Sequence, residues 1–137
     1  MPRATIHRKA HFNAAHRLFN PDWSYKKNFE VFGKCSNPNY HGHNYELIVS
    51  LTGNIDKQTG YVYDLSKLKE LIRTEIEEAF DHKNLNLEVE AFKNLNPTVE
   101  NIAVVSYNNL RVLIEKEYEL KLTLYETPRN FVSYSGD

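Results

Sequence analysis

No stretch of the 137-residue sequence reaches the ~18–20 consecutive apolar residues of a membrane span. Its first residues, Met1-Pro2-Arg3-Ala4-Thr5-Ile6-His7-Arg8-Lys9, contain no apolar signal core. A membrane role is not expected, and a cytoplasmic location is. A single cysteine, Cys35, excludes an intrachain disulfide and leaves one thiol free. The five glycines form no dinucleotide-binding fingerprint, so nothing suggests a nicotinamide or flavin cofactor. Lys+Arg 17 against Asp+Glu 18 gives a net charge of −1, without the positive excess that drives nucleic-acid backbone binding. Apolar residues are also scarce. Counted without Tyr and with Gly they make up about 38%, against a usual ~45–50%. Such a thin private core favours an oligomer, in which another subunit completes part of it. Repeats and Pro/Gly linkers are absent, and the length suits one core, so residues 1–137 are expected to form a single domain.

Periodicity supplies the elements. From Thr5 to Ala14, Ile6, Ala10, Phe12 and Ala14 share one parity and Thr5, His7, Lys9 and His11 the other, the pattern of a half-buried strand interrupted by Arg8. Asn20 to Tyr40 is polar, aromatic and broken by Pro21, Gly33 and Pro38, which suits a long loop with room for a short helix. His43 to Thr52 alternates again, with His43, Tyr45, Leu47, Val49 and Leu51 on one face and only Ile48 dissenting. Ser66 can cap a helix with the stripe Leu65, Leu68, Ile72, Ile76, Ala79 and Phe80, ending near Asp81-His82. Pro97-Thr98 opens a second helix, with Val99, Ile102, Ala103, Leu110, Leu113 and Ile114 on its stripe and Tyr118 near its end. Lys121–Thr127 and Phe131–Tyr134 read as two further strands around a turn. The order β-β-α-α-β-β implies an α+β fold: a four-stranded antiparallel sheet with two helices on one face. Its bare edges and open face would be satisfied by oligomerising into a barrel.

Several side chains on this frame can do chemistry. His41-Gly42-His43 places two imidazoles at i and i+2 of an extended segment, so both point the same way and could share a metal ion. The structural alternative is two hydrogen-bonded histidines at a strand start. A third ligand could be His7, His11, His16 or His82; His16 lies just beyond the first strand, where antiparallel pairing could bring it beside the second. Three His ligands would leave a tetrahedral position open, as in catalytic rather than structural zinc. Cys35 sits beside Lys34 in a loop, where a cation would favour thiolate and make it a usable base, or it is simply a small buried residue. Asp81-His82 could relay protons or close a helix, with the imidazolium favoured by the dipole. Glu126 shares its parity with Leu122 and Leu124. An acid on the apolar face needs donors, and the planar N–H pair of a heterocycle is one such partner. Thr98 reads first as a helix cap and second as a ligand contact, and Glu100 as a dipole-favoured acid.

Together these segments resemble the 6-pyruvoyl-tetrahydropterin synthase and 6-carboxy-tetrahydropterin synthase group of the tunnelling fold (T-fold). The resemblance runs through Phe12-Asn13-Ala14-Ala15-His16-Arg17-Leu18, Phe32-Gly33-Lys34-Cys35-Ser36-Asn37-Pro38-Asn39-Tyr40-His41-Gly42-His43-Asn44-Tyr45, Asp81-His82-Lys83-Asn84-Leu85-Asn86, Pro97-Thr98-Val99-Glu100-Asn101 and Tyr125-Glu126-Thr127. It implies a Zn2+ ion held by His16, His41 and His43, with substrate hydroxyls completing its coordination. It further implies Cys35 as proton-abstracting base, Asp81 and His82 as its partners, and Glu126 as anchor of the pterin edge. The implied substrate is 7,8-dihydroneopterin triphosphate, and the implied assembly is a homohexamer, a dimer of barrel-forming trimers with sites between subunits.

The two branches of that group differ in product. The pyruvoyl branch, a carbon–oxygen lyase of tetrahydrobiopterin biosynthesis, releases triphosphate and forms 6-pyruvoyl-tetrahydropterin. The carboxy branch also loses acetaldehyde and feeds queuosine synthesis. Five residues separate Cys35 from His41, as in the pyruvoyl branch, whereas three are usual in the carboxy branch. Gly33-Lys34-Cys35-Ser36-Asn37-Pro38-Asn39 and Thr59-Gly60-Tyr61-Val62 also look like the pyruvoyl enzymes. Tyr40 departs from the smaller residue expected before His41. A non-catalytic zinc- or pterin-binding protein would have no use for Cys35, Asp81 and His82. For the triphosphate, the cations at hand are Lys34, Arg17, Lys83 and Arg129, and spacing does not choose among them.

Overall fold

The computed structural model describes residues 1–137. Two long strands dominate it, β1 (Arg3–His16) and β2 (His41–Asn54), paired antiparallel with Arg3 opposite Asn54 and His16 opposite His41. Alternation decides which side chains go inside. Phe12, Ala14 and His16 of β1 and Tyr45, Leu47, Val49 and Leu51 of β2 are buried on one face of the sheet. The other face is polar and joined by side-chain bonds: Thr5 to Thr52 at 2.7 Å, His7 to Ser50 at 2.7 Å.

On the far side of β2 lies β4 (Glu119–Tyr125), antiparallel, followed outward by β5 (Phe131–Tyr134). The sheet has five strands, not the expected four: a two-residue strand lies outside β1, and β1, β2, β4 and β5 follow in that order. The extra strand, β3 (Lys83–Asn84), pairs in parallel with Ala14 and Ala15, so the sheet is not wholly antiparallel. Two residues are too few to show a period in sequence, and tertiary contact alone creates this strand. Beyond that short pairing, residues 3–13 of β1 have no strand neighbour on their outer edge.

Helices cover the apolar face. α1 (Tyr25–Phe32), capped by Ser24, occupies part of the long β1–β2 connection. α2 (Leu65–Ile72) is capped by Asp64 rather than Ser66: the Asp64 carboxylate accepts from the amides of Ser66 and Lys67, and Leu65 is the exposed first helical residue. The helix continues through a π turn (Arg73–Glu77) into α3 (Glu78–Phe80). Leu68, Ile72, Ile76 and Phe80, each four residues apart, are all buried. The wider π turn keeps that four-residue stripe on one line, where a strict 3.6 period would drift. A short α4 (Leu85–Glu88) precedes α5 (Val99–Arg111), which is capped by Thr98. α5 ends well before Tyr118, because the Arg111 guanidinium donates to the carbonyls of Ile114, Glu115 and Tyr118 and turns the chain. Leu113, expected on the stripe, is therefore exposed.

A single cluster of 22 buried hydrophobic residues fills the space between sheet and helices. Phe12 stacks on Tyr45 at 4.9 Å and meets Phe80 at 5.5 Å, which anchors the end of the sheet where the histidines emerge. Each large side chain buried there contributes about 1.5–3 kcal/mol. No helix is long and apolar enough to cross a membrane.

Candidate functional site

The β1–β2 register assembles the histidines. His16 ends β1 directly opposite His41, and Ala14 opposite His43 leaves room for that ring. One nitrogen from each of His16, His41 and His43 lies within 4.8 Å of the others. His16 is 1% exposed, and its Nδ1 lies 2.7 Å from the carbonyl oxygen of Pro97. A carbonyl only accepts, so Nδ1 carries the proton and Nε2 keeps its lone pair. Nε2 of His16, both ring nitrogens of His41 and Nε2 of His43 are buried without a hydrogen-bond partner. Four such orphans would cost about 1–3 kcal/mol each if nothing met them.

Electrostatics point the same way. Burial pushes the His16 pKa down to about 4, reinforced by His41 and His43 and opposed by the Pro97 carbonyl. His41 is likewise lowered by burial and by His43, against the pull of Glu126. Both are neutral at pH 7, the form that ligates metal. Three imidazoles with unpartnered lone pairs fit a zinc ion that retains an open position. Glu126 Oε2 is 3.8 Å from His16 Nε2, too far for a hydrogen bond and facing a neutral ring.

Glu126 itself follows directly on β4. Its side chain is 23% exposed, and no hydrogen bond within the chain reaches the carboxylate. It lines a cleft of about 640 Å³ with His43, Asn44, Tyr125 and Thr127. A half-buried carboxylate lacking donors, facing a cleft, is placed to receive them from a ligand. Thr98 acts as the α5 cap, accepting from the Asn101 amide at 3.1 Å, and its hydroxyl proton is left for another acceptor.

Cys35 is half-buried in a 3₁₀ turn, Gly33–Ser36, and its carbonyl accepts from the Leu18 amide at 2.7 Å. Asp81 and His82 form a pair of their own. Asp81 Oδ1 accepts from the Asn13 amide at 2.8 Å and Oδ2 from His82 Nδ1 at 2.8 Å. Those two bonds, the Asn13 amide first, hold the Asp81 carboxyl below its usual range. Asp81 is the C-cap of α3, so the pair closes that helix as well as flanking the outer edge of β1 at Asn13; the His82 side chain is 82% exposed, and no hydrogen bond links it to Cys35. His82 and Tyr40 are the two non-glycine residues with positive φ, 59° and 66°. One flanks Asp81 and the other precedes His41, and such strain concentrates at functional sites.

The structure thus brings His16, His41, His43 and Glu126 together and holds Asp81–His82 apart. His7 and His11 lie on the polar face as exposed residues. Sequence reasoning missed Pro97 as the acceptor that orients His16. It also left Tyr45 in the apolar set, although shared parity with His43 signals its place. Tyr45 is fully buried with its ring 5.6 Å from that of His43 and its hydroxyl 3.4 Å from His16 Nδ1. Burial, then Glu126 and Cys35, raise its pKa, so the phenol stays protonated. Arg17 spends its guanidinium on the Ser36 carbonyl, at 2.8 Å, and on the Phe19 ring, at 4.0 Å.

Comparison with known proteins agrees with this geometry. The family described as 6-pyruvoyl tetrahydropterin synthase matches residues 5–137. A 6-pyruvoyl tetrahydrobiopterin synthase of Drosophila melanogaster is 45% identical over 138 residues, covering 98% of this chain and 81% of its own length. The solved structure of Caenorhabditis elegans 6-pyruvoyl tetrahydropterin synthase superposes with a TM-score of 0.94 at 41% identity, covering 100% of this chain and 98% of that one. A 6-carboxy-5,6,7,8-tetrahydropterin synthase of Rickettsia conorii is 29% identical, covering 91% of this chain and 95% of its own.

Proposed function

Because the chain belongs to the 6-pyruvoyl tetrahydropterin synthase family, we propose that it converts 7,8-dihydroneopterin triphosphate to 6-pyruvoyl-tetrahydropterin, as a zinc-dependent carbon–oxygen lyase. Triphosphate leaves and hydrogens are redistributed within the substrate, so no external oxidant or reductant is needed. The observation that carries this reading is the cluster of unpartnered His16, His41 and His43 nitrogens beside the unpartnered Glu126 carboxylate. Zinc held by the three histidines would polarise the side-chain oxygens of the substrate and acidify the adjacent C–H bonds.

The remaining roles fall to the chain's own residues. Glu126 accepts two hydrogen bonds from the amino-pyrimidinone edge of the pterin and sets its orientation. Thr98 donates its free hydroxyl proton to the same ligand. Cys35, as thiolate, removes the proton from the side-chain carbon, and Asp81 with His82 passes protons to and from the site. Since that pair stands at the β1 edge, it serves the Cys35 of a neighbouring subunit. The unpaired outer edge of β1 supports such an assembly, a homohexamer of two barrel-forming trimers. A protein whose only cysteine stays a thiol suits the reducing cytoplasm.

The alternative is a 6-carboxy-tetrahydropterin synthase of queuosine synthesis. The five-residue spacing from Cys35 to His41 and the lower identity to the carboxy-named relative both favour the pyruvoyl product. The test is to incubate the protein with 7,8-dihydroneopterin triphosphate and identify products by mass. 6-Pyruvoyl-tetrahydropterin is expected; 6-carboxy-tetrahydropterin with acetaldehyde would move the protein to the other branch, and no turnover would leave a binding protein.

A further inference from the structure

Arg17 follows the buried His16 and leaves β1 without a strand to pair with. Side chains replace the ladder. The Arg17 amide donates to Asn86 Oδ1 at 2.9 Å, and Asn86 Nδ2 donates back to the Arg17 carbonyl at 3.0 Å. The next two amides are also taken: Leu18 donates to the Cys35 carbonyl at 2.7 Å and Phe19 to Asn96 Oδ1 at 3.2 Å. The Arg17 guanidinium carbon lies over the Phe19 ring, 4.0 Å from its centroid, and Nη2 donates to the Ser36 carbonyl at 2.8 Å. Two consecutive residues after His16 therefore hold two consecutive carbonyls of the turn that carries Cys35.

We propose that Arg17 is a positioning residue that fixes the Cys35 thiol relative to the three-histidine centre, with Asn86 holding Arg17 from behind. The inference rests on Cys35 acting as the base, as proposed above. A 3₁₀ turn of four residues is weakly held by itself: its own side-chain bond is from Ser36 Oγ to the Gly33 carbonyl at 2.8 Å. The bonds from residues 17 and 18 tie that turn to the end of β1. A proton transfer from carbon needs the base held to a fraction of an ångström, and a shift of about 1 Å costs on the order of 100-fold in rate. Arg17 suits this task better than triphosphate binding, because one guanidinium edge is already occupied and Nε is buried.

The test compares zinc-loaded wild type with Arg17→Met and Arg17→Lys. An ammonium can still donate one bond to the Ser36 carbonyl, so the lysine variant should recover much of what methionine loses. In Arg17→Met, kcat is expected to fall about 10–100-fold with KM nearly unchanged, while bound zinc and biopterin affinity stay as in wild type. The rate of Cys35 alkylation by iodoacetamide should change several-fold, since the turn is released. Should Arg17→Met fail to fold, Asn86→Asp, which removes the donor to the Arg17 carbonyl, is expected to shift the same two readouts. Wild-type alkylation and kcat in Arg17→Met would overturn the proposal, as would a lysine variant no better than methionine, or loss of zinc in parallel with kcat. If wild type makes no product, the assigned activity falls, while the alkylation comparison still decides whether Arg17 holds the Cys35 turn.

Discussion

His16 donates a hydrogen bond from its Nδ1–H to the carbonyl of Pro97 at 2.7 Å, and that bond leaves Nε2 bare on the side of His41 and His43. Strand β1 and the start of α5 thus meet at one imidazole, and the tautomer needed for a metal ligand is set before any metal arrives.

Replacement of His16, His41 or His43 by alanine should remove most bound zinc. Elemental analysis after gel filtration reads this directly, with far-UV circular dichroism as a check on folding. Wild-type zinc content in the His16→Ala variant would contradict the ligand set.

Cys35→Ala should abolish turnover and leave zinc and biopterin bound, because the thiol is assigned proton transfer and no part in holding either. Full activity in that variant would remove Cys35 from the mechanism.

Glu126→Gln keeps the shape of the side chain and loses the charge. The carboxylate makes no hydrogen bond within the chain, so folding should be unaffected. Pterin affinity is expected to drop about 10–100-fold, the loss of a charged bidentate contact of roughly 1.5–3 kcal/mol, with zinc content unchanged. Calorimetric titration with biopterin measures it, and an unchanged affinity would mean that Glu126 faces something else.

The metal-free protein should become less stable as pH falls from about 6.5 towards about 4. Folded His16 is pushed down to about 4 from the usual 6.5, so within that window the unfolded chain holds a proton that the folded chain does not. Its contribution is complete above the unfolded value and is lost as pH falls through the folded one, at up to about 1.4 kcal/mol per pH unit. His41 is displaced in the same direction. Urea unfolding midpoints measured at intervals of pH should decline across this range, and decline less in His16→Gln. Equal slopes in the two proteins would remove His16 as the cause.

The four longer strands and the two main helices between them, the inward parity of His43, Tyr45 and Leu47, and the inward placement of Glu126 were all legible, because alternation and the i, i+4 stripe report burial directly. β3 was not: its parallel pairing with Ala14 and Ala15 is created by the approach of a loop. Capping by Asp64 was missed because Ser66 is an equally good cap type, and only the observed bonds separate them. Within the site, the His-Gly-His spacing pointed to two ligands and left four candidates for the third; the pairing of His16 with His41 selects among them. Pro97 and Arg17 act through a backbone carbonyl and a tertiary bond, which leave no trace in residue type or spacing.

The most direct test of the account returns zinc stepwise to chelated protein while bound metal and 6-pyruvoyl-tetrahydropterin formation are followed together. Turnover should rise in proportion to zinc and level off when the three-histidine sites are full, and the His16→Ala variant should stay inactive throughout. Undiminished product formation by fully chelated wild type would contradict it.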